Sequence, residues 1–439
     1  MKIIVTIILF VMMSASSFSN GLSLNSIGPK ALGMGGAMIG LADDYSAVYW
    51  NPAGITQLQN AQIAVFGTAI MPTGTYKFDK YQIDATTKSN QYISPSIMAY
   101  VPLLKGDLTI GLSMFVPAGL GAEWDGAELA VLGGGQEFKW SNELGVIDFS
   151  PVIAYKFNEK LSFGVAFNIH YGMLDMSRPV DMFDYTDPEN PVPGEDRVMD
   201  SQYEESSTGM GYGVSIGVLY KATDYLSVGV SFKTKNTLSM TGDATNTAMP
   251  IFGQAMGVDI PLESELERDL SWPMWIGGGI AVKPMDKLTV TIDAQWSQWS
   301  DALTIMNTKY AGWPNMENPG QPAEEDIEMN WEDALQLRFG VQYEVSDKFA
   351  LRGGLYHDPA PAPDESMNII FPSNTYLGVT FGTSYKFTDA IAVDFGFEYL
   401  MGDDRDVPEY EDPEIKAMPG IHHMDILAFG IGVSYTFGK

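Results

Sequence analysis

Residues 21–58 read GLSLNSIGPKALGMGGAMIGLADDYSAVYWNPAGITQL, and this stretch decides how the rest of the chain is interpreted. It is rich in glycine and other small residues, lacks the period of a long helix, and ends in WNPAG at 50–54. The residues that follow form a long series of runs in which apolar and polar residues alternate. A compact segment ahead of many alternating strands predicts a plug followed by a barrel.

The alternation is clearest near the end of the chain. In residues 375–387, Leu377, Val379 and Phe381 fall on one face, while Gly378 and Thr380 fall on the other. Large apolar residues that alternate with small or polar ones are typical of a strand between lipid and a polar lumen. A soluble β-sandwich has the same pattern with its apolar face turned inward. Alternation alone therefore leaves both architectures open.

The lengths of the connections separate the two architectures. Strands are predicted near 62–71, 91–102, 107–117, 144–157, 160–171, 209–221, 225–235, 273–283, 287–298, 334–344, 348–357, 375–387, 390–401 and 424–437. Short turns alternate with long polar segments along the chain, as in bacterial transmembrane barrels, which also have an even number of strands. The sequence thus predicts an all-β fold, a 14-stranded antiparallel transmembrane β-barrel with an N-terminal hatch inside the lumen.

The first residues have the features of a signal peptide. Lys2 precedes an apolar core at 3–13, and small residues stand at Ser17 and Ser19. The apolar core is shorter than the roughly 20 residues that span a bilayer, although an uncleaved anchor is the alternative. The predicted division is a cleaved signal peptide at 1–19, a hatch at 20–60 and a barrel at 61–439, located in the outer membrane.

Composition excludes several classes of function. The formal net charge of −30 opposes binding to nucleic acid, where basic residues replace counterions. The absence of cysteine excludes disulfide and thiol chemistry. The sequence contains no H-E-x-x-H motif and predicts no nucleophile elbow of the G-x-S-x-G type, so we expect neither an enzyme nor a cofactor. The expected partners are hydrophobic small molecules and membrane lipids, with the protein as a monomer.

Five residues of the N-terminal stretch are candidates for gating: Asp43, Asp44, Asn51, Pro52 and Ala53. An asparagine side chain bonds backbone groups, and a proline fixes its own φ and restricts the residue before it. The two aspartates could cap a turn or pair with cations in the lumen. Both a movable constriction and a rigid plug are consistent with these residues.

Strand parity places four cations on the lumen side: Lys233, Arg338, Arg352 and Lys386. These side chains could bind a substrate carboxylate, for which arginine offers a planar fork of donors. The alternative, which we favour, is that they pair with the lumen acids Asp293, Asp394 and Glu398 and brace the barrel.

Two further sets of residues contain residue types that occur in binding sites. Exposed apolar groups on a secreted surface mark binding, and the candidates for an outer hydrophobic landing site are Phe115, Leu120, Trp124, Leu129 and Leu132. The acidic segment 403–414 and the pair His422-His423 contain metal-binding residue types. They lack EF-hand spacing or a third ligand group, so no metal site is predicted.

The residues also resemble a known family. The pattern GxxLNSxGxxALGMGGAxxGxADDxSAVYWNPAG, with Asn-Pro-Ala at 51–53 as its most specific mark, resembles the hatch of the outer-membrane long-chain fatty acid transporter family (FadL-type). The hairpin that begins SPVIAYKF at 150–157, KLTVTIDAQWSQWSD at 287–301, and WEDALQLRFGVQYEVSDKFALRGGLYHDPAPAP at 331–363 are similar to the same family.

The resemblance implies passive uptake of hydrophobic compounds through a barrel closed by its hatch. Long-chain fatty acids are the expected substrates, with aromatic or other hydrocarbons as the alternative, and a surface adhesion or receptor barrel without transport as a third. A kink in the third strand of the family is thought to open a lateral path. Here that strand is predicted at 107–117, where Gly111 and Pro117 could weaken it. A strand that simply ends at Pro117 is the other interpretation.

Overall fold

A computed structural model describes residues 21–24, 27–183, 197–315, 321–412 and 415–438 of the chain. The predicted signal peptide, residues 1–19, lies outside the described residues, as does most of the acidic segment 181–196.

Strands make up most of the described chain. Their bounds are β1 Gln62–Phe78, β2 Ile83–Thr86, β3 Tyr92–Leu103, β4 Leu108–Trp124, β5 Trp140–Lys156, β6 Leu161–Phe183, β7 Arg197–Thr223, β8 Leu226–Lys233, β9 Asn236–Asn246, β10 Glu263–Trp272, β11 Trp275–Met285, β12 Leu288–Ser297, β13 Ile305–Pro314, β14 Pro322–Glu328, β15 Ala334–Ser346, β16 Phe349–Asp358, β17 Tyr376–Lys386, β18 Ile391–Gly402, β19 Arg405–Val407 and β20 Gly420–Thr436.

Helices are few and short in the same residues. The α-helices are α1 Pro29–Gly33, α2 Ala47–Trp50 and α3 Met249–Met256, and a 3-10 helix spans Pro52–Gln57. None of the described helices has both the length and the apolar character needed to cross a bilayer.

Fourteen of the described strands close into one antiparallel barrel. They are β1, β3 to β8, β11, β12, β15 to β18 and β20. The barrel closes where β20 pairs with β1 from Gln62 opposite Thr436 to Lys77 opposite Ile421. Each strand pairs with the next barrel strand along the chain, and this result confirms the predicted fold.

The two faces of the wall differ as the alternation predicts. On β17, Leu377, Val379 and Phe381 are 39–46% exposed, whereas Gly378 and Thr380 between them are buried. Exposed aromatic side chains also ring the end of the barrel with the short turns: Tyr155, Phe157, Tyr220, Tyr225, Tyr343, Tyr385, Phe387, Tyr435 and Phe437. Short turns mark the periplasmic end of such barrels, so this ring lies at the periplasmic interface.

The opposite, outer end of the barrel contains more β-strands than the sequence predicts. Segments 236–272 and 299–333 are predicted there as connections, but the structure forms β9, β10, β13 and β14 within them, and these strands extend the sheet beyond β7. The prediction was wrong because in β10 acidic residues alternate with the buried Leu266 and Leu270. A strand with carboxylates on its exposed face resembles a solvated charge run in the sequence.

Residues 27–58, which we call the N-terminal segment, lie inside the barrel. Helix α1 contacts β16, β17, β18 and β20, and the 3-10 helix at 52–57 contacts β5, β6 and β7 across the lumen. The segment buries Met34, Met38 and Trp50 in one apolar cluster with Phe66 and Tyr100 of the wall. Its irregular backbone is therefore surrounded by protein, as a membrane environment requires.

Candidate functional site

The N-terminal segment touches the barrel wall backbone to backbone. Glycines of the wall face it from eight strands: Gly164, Gly217, Gly229, Gly279, Gly340, Gly354, Gly382 and Gly396. A Cβ added to Gly229 would lie 1.9 Å from the carbonyl oxygen of Ile39, and one added to Gly279 would lie 2.5 Å from the backbone nitrogen of Gly40. No larger residue fits at these contacts, which explains the small residues on the lumen face.

Asn51 joins the N-terminal segment to the wall. Its Nδ2 donates to the carbonyl oxygen of Ile39 within the segment and to that of Val218 on β7, both at 3.0 Å. Its Oδ1 accepts from the backbone N–H of Ala53 at 3.2 Å and caps the 3-10 helix that follows. Pro52 and Ala53 lie directly on Gly164 of β6. Sequence analysis selected these three residues, and the structure brings them together at one wall contact.

The turn at 38–40 is held from two other strands. Asp293 of β12 accepts the backbone N–H of Ile39 at 2.5 Å, and the hydroxyl of Ser227 on β8 donates to the carbonyl oxygen of Gly40 at 2.6 Å. Burial of a carboxylate is favourable only where donors satisfy it. Asp293 thus anchors the segment, a role that strand parity alone did not reveal.

Two of the four predicted lumen cations bind the segment or brace the wall. Arg338 donates to the carbonyl oxygen of Gly35 at 3.2 Å and lies 5.3 Å from the ring centroid of Trp50. Arg352 forms an ion pair of 3.2 Å with Asp394, whose other oxygen accepts the Tyr45 hydroxyl. Arg352 thus pairs with one of the acids named in the bracing interpretation, whereas these contacts of Arg338 are with the N-terminal segment.

A polar cavity of about 290 Å³ lies at the periplasmic side of the segment. It is lined by Asp43, Asp44, Arg352 and the exposed Lys386, and the carboxylate of Asp43 pairs with Lys30 at 2.6 Å. Burial raises the pKa of Asp44 to about 6, and the Lys30 ammonium opposes that rise. Lys386 therefore lies at the periplasmic mouth, where it lines the same cavity as Arg352.

Lys233 differs from the other candidates in its surroundings. Its ammonium lies 3.3 Å from the ring centroid of Tyr49 and 5.0 Å from that of Trp275, and Phe115 packs edge-on against the same tyrosine. Among the described residues, no hydrogen bond or ion pair reaches this ammonium. It is thus a lumen cation held by aromatic faces, with donor capacity available to an anion.

A polar cluster that sequence analysis missed lies on the wall near Lys233. Asp148 accepts hydrogen bonds from Asn168 at 3.0 Å and from Ser150 at 2.5 Å, and Nε2 of His170 lies 3.0 Å from its carboxylate. Ser215 donates to Asn168 at 2.7 Å. These residues alternate along β5, β6 and β7, so parity would have placed them in the lumen. The string GVSIG at 213–217 matches G-x-S-x-G but lies inside β7, without the strand-to-helix turn of a nucleophile elbow.

The wall is interrupted between β3 and β4. Their pairing ends at Ile97 opposite Met114, and the pairing of β4 with β5 shifts register between Phe115 and Ala118. Strand β4 nevertheless continues to Trp124, so the interpretation that it ends at Pro117 is wrong.

Residues 22–24 occupy the free edge of β4 at this gap. The backbone N–H of Leu24 donates to Pro117 O at 2.9 Å, and that of Gly119 donates to Leu22 O at 3.1 Å. Ser23 forms an isolated bridge with Ala118. The start of the described chain therefore substitutes for the missing part of β3.

The five candidates for a landing site do not form one exposed surface. Phe115 and Trp124 are 1% and 3% exposed, and Leu129 is also buried. Phe115 packs beside the N-terminal segment, and Leu120 packs on buried apolar side chains at the outer end, such as Leu144. Trp124, Leu129 and Leu132 pack together near Ile369. The expectation of exposure is wrong because the outer segments fold over these side chains.

Apolar side chains are exposed elsewhere on the outer end of the barrel. Helix α3 and the residues after it expose Ile251, Met256, Val258 and Leu262. Beneath them lies the outer apolar cluster, whose buried members include Leu144, Leu174, Leu238, Met306, Trp299 and Trp331.

His422 and His423 point to opposite faces of β20. His422 is buried against Tyr76, and His423 lies between Asp404 and Asp425 at 2.9 and 3.4 Å. Within the described ranges no group of three or more histidine, aspartate or glutamate residues is placed to hold a metal ion.

Comparisons with known proteins agree with this architecture. The model of the family described as outer membrane protein transport protein (OMPP1/FadL/TodX) matches residues 10–437. The long-chain fatty acid transport protein of Salmonella typhi is 22% identical over 410 residues, which covers 89% of each chain.

Solved structures share the fold. A Pseudomonas aeruginosa FadL homologue superposes with a TM-score of 0.80 at 16% identity, covering 95% of this chain and 100% of that one. The Pseudomonas putida toluene transporter TodX superposes with a TM-score of 0.75 at 18% identity, with the same coverage.

The contact between Gly229 and the N-terminal segment yields a prediction. Gly229→Ala places a methyl group against a backbone carbonyl, so we expect a loss of about 1–3 kcal/mol in stability from overpacking and a higher ionic conductance in planar bilayers. Gly353→Ala is the matched control, because its Cβ would lie 3.7 Å from the nearest atom, Thr380 O. Equal conductance in the two variants would show that this contact does not limit the flow of ions through the lumen.

Proposed function

The chain belongs to the outer membrane protein transport protein family (OMPP1/FadL/TodX) and is an outer-membrane β-barrel of a family that transports hydrophobic compounds; from this premise we propose that its substrates are long-chain fatty acids. Transport is passive and involves no nucleotide or covalent step. The observation that carries the proposal is the ammonium of Lys233, which lies in the lumen without an anionic partner among the described residues.

The surroundings of Lys233 suit an amphipathic acid. The aromatic rings of Tyr49, Trp275 and Phe115 provide apolar walls next to the cation. A buried charge without a counter-ion is costly, and a bound carboxylate removes that cost. Arg338 and Arg352 are less suited to this task, because their guanidinium groups already bind the segment or Asp394.

The outer end offers a route to this site. The exposed apolar residues around α3 form a landing surface, and the outer apolar cluster lies between that surface and the lumen. Trp124, Leu129 and Leu132 pack in a separate cluster with Tyr76 and Ile369, so they are not the residues that receive the substrate first.

The exit is lateral, through the gap between β3 and β4. Residues 22–24 close the gap with backbone hydrogen bonds and with the side chain of Leu22, which is buried in the outer apolar cluster, and their displacement opens the wall towards lipid. The Asn51 contacts keep the N-terminal segment in place during this step. Residues 22–24 then move, while the N-terminal segment remains a plug.

A second candidate function is the uptake of aromatic or other hydrocarbons. The aromatic rings around Lys233 favour it, because a neutral ring binds an aromatic surface without any need for the ammonium. The two functions differ in whether transport depends on the charge of Lys233.

Lys233→Met separates the two substrates. A hydrogen bond to a charged group contributes about 1.5–3 kcal/mol, so we expect uptake of a fatty acid to fall about tenfold or more while uptake of an alkane of equal length is unchanged. Lys386→Met, at the periplasmic mouth, is the matched control. Uptake assays in whole cells or vesicles measure both substrates. Equal uptake of the acid by wild type and Lys233→Met would favour the hydrocarbon function.

The lateral exit is tested with a disulfide, because the chain has no cysteine of its own. Ser23→Cys combined with Ala118→Cys joins two residues that face each other across a β-bridge. We expect oxidation to abolish fatty acid transport and reduction to restore it, with each single variant insensitive to oxidation. Normal transport by the fully oxidised double variant would rule out displacement of residues 22–24.

A further inference from the structure

The turn at residues 43–46 brings charged groups of the N-terminal segment to the polar cavity on the periplasmic side. Oδ1 of Asp44 accepts the backbone N–H of Ser46 at 3.1 Å and the hydroxyl of the same serine at 2.7 Å. The turn is also held by the wall, because the hydroxyl of Tyr100 on β3 donates to the carbonyl oxygen of Tyr45 at 2.7 Å. Asp44 therefore lies where the lower end of the plug docks on the barrel.

One oxygen of Asp44 has no partner. Its Oδ2 is buried and receives no hydrogen bond within the part of the chain that the structure describes. The two cations on the inner side of the cavity are engaged elsewhere, since Lys30 pairs with Asp43 at 2.6 Å and Arg352 pairs with Asp394 at 3.2 Å. Three carboxylates thus face two cations. A buried charge without a close partner is costly, and here that charge belongs to Asp44.

The other charged groups around the cavity are exposed to water. They lie at the ends of β15 and β17 and on the turn between β15 and β16, and they are Glu344, Asp347, Lys348 and Lys386. Exposed charges are screened by solvent and salt, so they do not offset the excess carboxylate inside. The phenols of Tyr45 and Tyr100 also face the turn and carry no charge at neutral pH.

This arrangement explains the proton affinity of Asp44. Burial raises its pKa to about 6 against the attraction of Lys30, and repulsion by Asp43 and Asp394 adds to the rise. Once the turn is released into water, the same carboxyl has its ordinary pKa of 3.8. The docked turn therefore binds the proton more tightly than the released turn, so protonation stabilises docking, and this stabilisation is lost as the pH rises through about 6.

We propose that Asp44 is a proton-sensitive contact that sets how firmly the lower end of the plug is docked. With the carboxyl protonated, the turn at 43–46 stays on the wall. With the carboxylate ionised, the turn leaves the wall more readily and the buried charge reaches water on the periplasmic side. The proton comes from water of the cavity and returns to it. The inference concerns the plug and does not depend on which hydrophobic compound is transported.

Hydrogen exchange followed by mass spectrometry tests the inference on the full-length protein in lipid. Exchange of the amides of residues 43–50 is corrected for the intrinsic effect of pH and gives the equilibrium constant for release of the turn. For a pKa of about 6 when docked and 3.8 when released, we expect this constant to rise about tenfold between about pH 5 and pH 7.5. The readout is limited to these residues because a second buried carboxylate, Asp293, holds the separate turn at 38–40.

Two substitutions identify the group that responds. Asp44→Asn removes the charge and keeps the shape, so we expect a small release constant that is the same at both pH values. Asp347→Asn, on the exposed rim of the same cavity, is the matched control and should keep the tenfold change of wild type. The wild-type profile needs no substitution, so the test stands even if Asp44→Asn does not assemble.

Two results would overturn the inference. One is a release constant of the wild-type turn that does not change between these pH values. The other is a change that is as large in Asp44→Asn as in wild type. Both outcomes are independent of fatty acid uptake, because neither measurement contains a substrate.

Discussion

The direct packing of one backbone on another inside the lumen is the constraint on which the structure depends. Side chains fill the interior of a barrel of about eight strands, whereas a barrel with fourteen encloses more space than they can occupy. The N-terminal segment occupies part of that space, and it fits because the wall offers glycine where Ile39 and Gly40 approach. Burial of an irregular segment leaves many backbone groups to satisfy, and Asn51, Asp293 and Ser227 supply the partners.

Among the described residues, the ammonium of Lys233 remains available in the lumen without an ion pair. Arg352 is neutralised by Asp394, and Lys30 by Asp43, on the periplasmic side of the segment. Lys233 instead lies against aromatic rings, near the cluster centred on Asp148. The same short stretch of wall therefore contains a cation, a polar cluster and the break between β3 and β4.

Much of the fold and part of the site could be predicted from the sequence. Alternation identified the fourteen barrel strands, because lipid on one side imposes a strict period of two on strands such as β17. Asn51, Pro52 and Ala53 were selected as hatch candidates because their sequence resembles the hatch of the family, but their contacts with β6 and β7 were not predicted. The strands at the outer end were missed because the acidic residues of β10 give its sequence the composition of a solvated loop. The burial of Trp124 and the role of Asp293 depend on distant segments that meet only in three dimensions, which no local pattern encodes.

The measurement that tests this account most directly is a crystal structure with a long-chain fatty acid that carries bromine at its methyl end. The account predicts the carboxylate in hydrogen-bond contact with Nζ of Lys233, and the bromine among the residues of the outer apolar cluster. An occupied site on the lipid-facing surface together with a lumen that holds no acid would contradict it.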